Sequence, residues 1–103
     1  MTEIRKELQW FSQEMETKLK KNDHKGGWDK STISWLLGRL KDEVKELEEV
    51  LNEEPETNTE QLSKMQRTIA ECADVANFAM MIADKTNTEF QPMLGDFYMD
   101  NWR

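Results

Sequence analysis

Two acidic residues in an apolar segment are the part of this sequence most able to do chemistry. From residue 72 to residue 83 every residue is apolar except Asp74 and Asn77, and Glu71 precedes Asp74 by three positions. That spacing places both carboxylates on one side of a helix. A buried, unpaired carboxylate costs several kcal/mol, so we expect a cation, a donor or a proton beside Asp74. A divalent metal between Glu71 and Asp74 would remove their mutual repulsion.

Glu43 and Glu46 form a second pair with the same spacing. With the centre of the local apolar stripe near Leu40, Glu43 lies about 60° to one side and Glu46 about 120° to the same side. Two antiparallel helices that each carry such a pair would form an oxygen-rich site suited to Mg²⁺ or Mn²⁺. The alternative is solvated surface charge, with Glu43 paired to Arg39 or to the neighbourhood of Lys45.

Three amphipathic helices would position these pairs. Apolar residues recur at helical spacing over 2–21, again from Ser31 or Thr32 to Leu51, and from Asn58 to near Lys85. The second stripe comprises Ile33, Leu36, Leu37, Leu40, Val44, Leu47 and Leu51. The sequence therefore predicts an all-α antiparallel helical bundle of three main helices plus a C-terminal tail, residues 86–103.

Local signals set the expected helix ends. Ser31 or Thr32 can cap the second helix, and Asn58 with Gln61 has the spacing of a capping box for the third. A glycine-rich loop at 22–28 and a turn at 52–57 separate the helices. The tail carries Pro92 and an aromatic cluster, and either a short helix or an arm packed on a partner subunit fits it. The cluster comprises Phe97, Tyr98, Met99 and Trp102.

Composition excludes several classes of protein. The chain has 103 residues, of which 34% are charged, and its net charge is −7. So small and acidic a chain buries little surface, so we expect one domain completed by oligomerisation. The acidic balance disfavours nucleic acid, and no apolar run is long enough for a membrane helix. Cys72 is the only cysteine, so an internal disulfide is excluded, and with no signal-peptide pattern we expect a cytoplasmic protein.

Four further residues are candidates for binding a ligand. His24 and Lys25 precede two glycines whose free backbone N–H groups could meet a phosphate, although an exposed turn fits equally. Trp28 could stack on a base or plug the core beside the second helix. Asn77, one turn beyond Asp74, could bond to a ligand or to a polar side chain of a neighbouring helix.

The acidic pattern resembles a known family. Glu43-x-x-Glu46, then residues 47–70, then Glu71-x-x-Asp74 is similar to the signature of the MazG-like all-α nucleoside triphosphate pyrophosphohydrolases. The stretches NDHKGGW at 22–28, WLLGRL at 35–40 and ADVANFAMMIAD at 73–84 resemble the dATP/dGTP diphosphohydrolase branch, found in bacteria, prophages and phages. The resemblance covers at least residues 20–85, and we take residues 1–103 as a single domain of this kind. Asp42 stands where many members have Glu.

The resemblance implies an enzyme that cleaves a nucleoside triphosphate between its α- and β-phosphates, releasing a nucleoside monophosphate and pyrophosphate. The four acids would hold two or more Mg²⁺ ions, with Mn²⁺ as a substitute, and His24, Lys25, Trp28 and Asn77 would bind the substrate. Relatives are dimers or tetramers. The cellular location would be the cytoplasm of a bacterium, or of the host if a phage encodes the chain.

Two alternatives stay open at this stage. The same chemistry could act on a pyrimidine substrate such as dUTP or dCTP, because the four acids do not read the base. A non-catalytic helical adaptor could instead use the Met and Trp side chains to bind a partner, and it would need no metal.

Overall fold

The computed structural model describes the backbone of residues 3–101 and the side chains of residues 3–93. Over that range the chain is helical without any strand, which confirms the all-α prediction. The helices are α1 (Lys6–Lys21), a 3₁₀ turn (Asp23–Lys25), α2 (Ile33–Leu51) and α3 (Asn58–Asn101). No helix within these residues is both long and apolar enough to cross a membrane.

Helix α3 is the centre of the fold, and α1 and α2 each pack against it. Lys18 of α1 contacts Asp74, whereas Met15, one turn earlier, contacts Asn77, so α1 is antiparallel to α3. The turn at 52–57 makes α2 and α3 an antiparallel hairpin. In the part of the chain that the structure describes, no Cα atom of α1 lies within 8 Å of a Cα atom of α2. A space therefore remains between α1 and α2, with α3 behind it.

The connection from α1 to α2 runs back along α3 and lines this space. It leaves α1 near Asp74 and reaches the level of Asp84, whose Oδ2 accepts a hydrogen bond from the Trp28 indole Nε1 at 3.0 Å. Lys85 Nζ donates to the Asp29 carbonyl at 2.8 Å. Gly26 has φ +89°, a conformation that favours glycine, and it turns the chain between the 3₁₀ turn and Trp28. Because the connection returns along α3, α1 and α2 run in the same direction.

The helix caps agree with the sequence at α2 and differ at α3. The Thr32 hydroxyl accepts a hydrogen bond from the Trp35 N–H at 3.0 Å, as one of the two capping predictions required. At α3 the cap is Thr57 and not Asn58: Thr57 Oγ1 accepts from the Glu60 N–H at 3.1 Å, and Glu60 accepts from the Glu56 N–H at 2.8 Å. The cap of α3 therefore lies one residue earlier than predicted, and Glu60 accepts from the residue before the cap instead of from the cap itself.

Helix α3 does not end near Lys85 as predicted but continues to Asn101, so the described part of the tail is a continuation of α3 and not a separate short helix. Residues 86–91 contain neither glycine nor proline, and nothing there stops the helix. Pro92 lies inside the helix, where it lacks the N–H that would bond to the Thr88 carbonyl. The side chains of the predicted aromatic cluster, and the whole of Trp102, lie outside the described residues.

The core is as thin as the composition suggested. Among the described side chains, the buried apolar residues are Leu36, Val50 and Ala73. A helical segment as apolar as 72–83 would be expected to be covered on every side. In the single chain it is not, because Ala79 and Ala83 are exposed. The reason is geometric: α1 and α2 cover only two sides of α3.

We expect the change Thr57→Ala to lower the free energy of unfolding by about 1 kcal/mol, because it removes the side-chain acceptor at the start of α3. The matched control is Asn58→Ala, which leaves the observed cap intact and should cost much less. Urea denaturation followed by circular dichroism measures both. A larger loss for Asn58→Ala would contradict the assignment of Thr57 as the cap.

Candidate metal centre

The structure brings three of the four predicted metal ligands together. Glu43, Glu46 and Glu71 each offer a carboxylate oxygen, and these oxygens all lie within 4.8 Å of one another. The first two are one turn apart on α2, and Glu71 faces them from α3. Glu43 is only 6% exposed, whereas Glu46 is open to solvent. We call these three residues the glutamate cluster.

Two oxygens of the glutamate cluster are buried without a partner. Glu43 Oε2 and Glu71 Oε2 are inaccessible to solvent and accept no hydrogen bond from the residues that the structure describes. Carboxylate oxygens in that position are costly unless a cation or a proton is present. Clustered oxygen donors with unsatisfied lone pairs fit a hard divalent cation such as Mg²⁺ or Mn²⁺.

Arg39 partly neutralises the cluster without filling it. Its Nη2 donates to Glu43 Oε1 at 2.8 Å and its Nη1 to Asp42 Oδ2 at 2.9 Å, and its guanidinium lies 5.2 Å from the centre of the Phe78 ring. The ion pair expected under the surface-charge alternative therefore exists. It occupies only one oxygen of Glu43, and the other faces the cluster. Asp42 is exposed and has no place in the cluster.

Asp74 lies beside the glutamate cluster but bonds to another partner. Its Oδ2 is 3.2 Å from Lys18 Nζ on α1, and the two side chains are 21% and 26% exposed. The cation that sequence reasoning required beside Asp74 is thus Lys18. Asp74 stays close enough for its negative charge to raise the pKa of both Glu43 and Glu71.

Burial and crowding make the cluster hard to ionise. Burial is the main reason that the pKa of Glu43 is raised to about 7, and the neighbouring carboxylates of Glu46 and Asp74 raise it further. Arg39 acts in the opposite direction. Burial also raises the pKa of Glu71, followed by the charges of Glu46 and Asp74. Without a bound cation, the glutamate cluster therefore keeps a proton at pH values well above those at which carboxyl groups usually ionise.

A cavity of about 450 Å³ lies next to these acids, in the space between α1 and α2. Glu43 and Asp74 form part of its wall, and so do three of the four predicted ligand-binding residues, Lys25, Trp28 and Asn77. His24, the fourth, does not line it. The size is within the range of about 300–1,000 Å³ that is typical of small-molecule sites.

Two of the predicted ligand-binding residues are held in place by the fold. The Trp28 ring is anchored by the hydrogen bond to Asp84, so it forms a fixed wall. Asn77 is 4% exposed, and its Nδ2 donates to the Met15 carbonyl at 3.0 Å. The Asn77 Oδ1 atom is buried without a hydrogen-bond partner in the described chain. Asn77 thus joins α3 to α1. One of its two predicted roles was to bond to a neighbouring helix, but its partner there is a backbone carbonyl and not a side chain.

Sequence reasoning missed several residues that line the cavity. Lys18, Trp35 and Phe78 line the cavity, and the spacing of residues in the sequence singled out none of them as a ligand-binding residue. The signal for Lys18 was available in the requirement that Asp74 have a cation, but spacing could not show which cation crosses from another helix.

A comparison with models of protein families, with curated proteins and with solved structures found no match to this chain. The function proposed below is therefore argued from the chemistry and placement of these residues.

The raised pKa of Glu43 predicts how stability depends on pH. Because the folded chain holds this proton more tightly than the unfolded chain, the free energy of unfolding should fall as pH rises from about 4.5 to about 7. In Glu43→Gln this fall should be smaller by about 3 kcal/mol. Denaturant titrations in metal-free buffer at several pH values measure the difference.

The matched control for this prediction is Glu48→Gln, since Glu48 is exposed on the same helix and lies outside the cluster. It should keep the pH profile of the original chain. Parallel profiles for the original chain and Glu43→Gln would contradict the protonation of Glu43.

Proposed function

We propose that this protein is a Mg²⁺-dependent nucleoside triphosphate pyrophosphohydrolase that acts on purine deoxynucleotides, dATP or dGTP, and releases a nucleoside monophosphate and pyrophosphate. The observation that carries the proposal is the glutamate cluster, which has two buried and unpartnered oxygens and whose Glu43 lines a cavity of small-molecule size. The resemblance of the acidic pattern to the MazG-like enzymes supports the choice of reaction.

Glu43, Glu46 and Glu71 would hold the metal, and Asp74 would join them once it separates from Lys18. Bound Mg²⁺, or Mn²⁺ in its place, supplies neutralisation of the triphosphate and a water of lowered pKa. The chain itself holds three carboxylate oxygens from α2 and α3 close together and buries one side of the cluster. The ion pair from Arg39 fixes the Glu43 side chain in that arrangement.

The cavity offers distinct surfaces for the two ends of a nucleotide. Lys18 and Lys25 provide positive charge where a polyphosphate would lie, which a chain of net charge −7 needs in order to bind a polyanion. Trp28, Trp35 and Phe78 provide aromatic faces for a base. Stacking on such faces is worth about 1–3 kcal/mol and accepts any base, so pyrimidine substrates remain the alternative that the assay must test.

We also propose that the chain self-associates as a homodimer or a tetramer. We place it in the cytoplasm of a bacterium or of a phage-infected host. One line of the α2 stripe, formed by Ile33, Leu37, Val44 and Leu51, is exposed in the single chain, and Met65 on α3 is 53% exposed. Uncovered apolar rows of this extent are typical of an interface.

Release of pyrophosphate from a panel of nucleoside triphosphates tests the activity. We expect Mg²⁺-dependent turnover, fastest with dATP or dGTP, and a loss of at least about a hundredfold in Glu71→Gln and Asp74→Asn, because each removes a negative ligand oxygen. Mg²⁺ should also raise the melting temperature of the original chain, and less so that of Glu71→Gln. Glu48→Gln, exposed on α2 and outside the cluster, should keep full activity.

The adaptor alternative gives the opposite results. An adaptor would melt at the same temperature in EDTA and in millimolar Mg²⁺ with nucleotide present, release no pyrophosphate, and be unaffected in function by Asp74→Asn. Fastest turnover with dUTP or dCTP would keep the reaction and reject the purine assignment.

Sedimentation velocity at micromolar concentration tests self-association. We expect a dimer or a tetramer, and we expect Leu37→Lys to shift it towards the monomer because a charge would lie in the uncovered apolar row. Lys45→Glu is the matched control, because Lys45 is exposed on the same helix about 100° away from that row. A stable folded monomer of the original chain would contradict the proposal.

A further inference from the structure

We infer that Lys18 is an exchangeable counter-ion: it neutralises Asp74 while the metal site is empty and transfers to the phosphates of the substrate when Asp74 turns to the metal. This inference rests on the proposed function, and it assigns to Lys18 a role in substrate binding that the acidic pattern does not specify.

The first argument is the position of Lys18. Its ammonium group is 3.2 Å from Asp74 Oδ2, and both side chains are only partly buried. Lys18 also forms part of the wall of the cavity, together with Lys25. One ammonium group therefore borders both the carboxylate that would bind metal and the space that would hold the phosphates.

The second argument is the balance of charge. Four carboxylates, those of the glutamate cluster and Asp74, meet two cations, Lys18 and Arg39, each in an ion pair. When a divalent ion joins the carboxylates, the ammonium group of Lys18 would lie beside another positive charge and lose its anion. The substrate is then the nearest new anion, and it arrives in the cavity that Lys18 already lines.

The third argument is that Lys18 can move whereas Arg39 is held. Arg39 is bonded to Asp42 and Glu43 at once and lies over Phe78. Lys18 makes one ion pair at the end of a flexible stem, and partly exposed pairs of this kind are weak, worth about 0–1 kcal/mol. A change of partner therefore costs Lys18 little and Arg39 much more.

The fold fixes the backbone of Lys18, whereas its ammonium group can change partner. Met15 lies one turn before Lys18 on α1, and Asn77 lies one turn after Asp74 on α3. The hydrogen bond from Asn77 Nδ2 to the Met15 carbonyl ties the two helices together at that level. Because Asn77 is buried, this bond is protected from water and sets the register in which Lys18 meets Asp74. Asn77 is in this respect a positioning residue.

The test is Lys18→Met, which keeps the length of the side chain and removes its charge. Isothermal titration with Mg²⁺ or Mn²⁺ alone should show roughly threefold to tenfold tighter metal binding, because Asp74 has lost a competing cation. The KM for the nucleotide should rise about tenfold or more, and kcat should change much less. A purely structural Lys18 cannot move metal affinity and nucleotide affinity in opposite directions.

Two controls accompany this variant. Lys20→Met alters an exposed lysine of the same helix that does not line the cavity, and it should leave both constants unchanged. Lys18→Arg keeps the charge and should restore most of the nucleotide affinity. If circular dichroism shows that Lys18→Met does not fold, Lys18→Gln provides the neutral side chain for the same two measurements.

The outcomes separate this inference from the proposed function. If the original chain binds metal and cleaves nucleotide while Lys18→Met behaves identically, or binds metal and nucleotide both more weakly, the role of Lys18 is wrong and the proposed function stands. If the original chain neither binds metal nor cleaves any nucleotide, both are wrong.

Discussion

The repulsion between carboxylates at the facing surfaces of α2 and α3 is the constraint on which the polar organisation of this protein depends. Glu43 is buried on the side of α2 that faces α3, close to Glu46, Glu71 and Asp74. The chain answers this repulsion in several ways at once: a guanidinium on one oxygen of Glu43, an ammonium group on Asp74, and a proton held on Glu43 up to about pH 7. A metal would replace the proton and offset the remaining charge.

The placement of α1 leaves a cavity beside the glutamate cluster and Asp74. If α1 packed against α2, the space next to Glu43 and Asp74 would be filled by side chains. Instead α1 packs on α3 alone, and the connection that returns along α3 closes the space from another direction. The hydrogen bonds from Trp28 and Lys85 that tie this connection to α3 therefore also shape the cavity.

The stability of the fold is spread over weak contributions. Few apolar side chains are fully buried in the single chain, and the α2–α3 hairpin is reinforced by Arg67, which donates to both carboxylate oxygens of Glu53, and by Lys64, which donates to the Glu53 carbonyl. The ion pair with Arg67 lowers the pKa of Glu53. Exposed pairs of this kind add little individually. Because the core is so small, burial of the exposed apolar rows and binding of a cation at the glutamate cluster would each raise the free energy of unfolding.

The helices, their apolar faces and the spacing of the acidic pairs follow from local periodicity, so they could be predicted from the sequence. Three apolar stripes predicted three helices, Thr32 is one of the two residues predicted to cap α2, and the i, i+3 spacing put Glu43 and Glu46 on one side of α2. Which groups neutralise these acids depends instead on contacts between helices. Lys18 and Asp74 are separated by 55 intervening residues, so no pattern of spacing joins them. The exposure of four of the seven residues of the α2 stripe likewise depends on which sides of that helix another element covers.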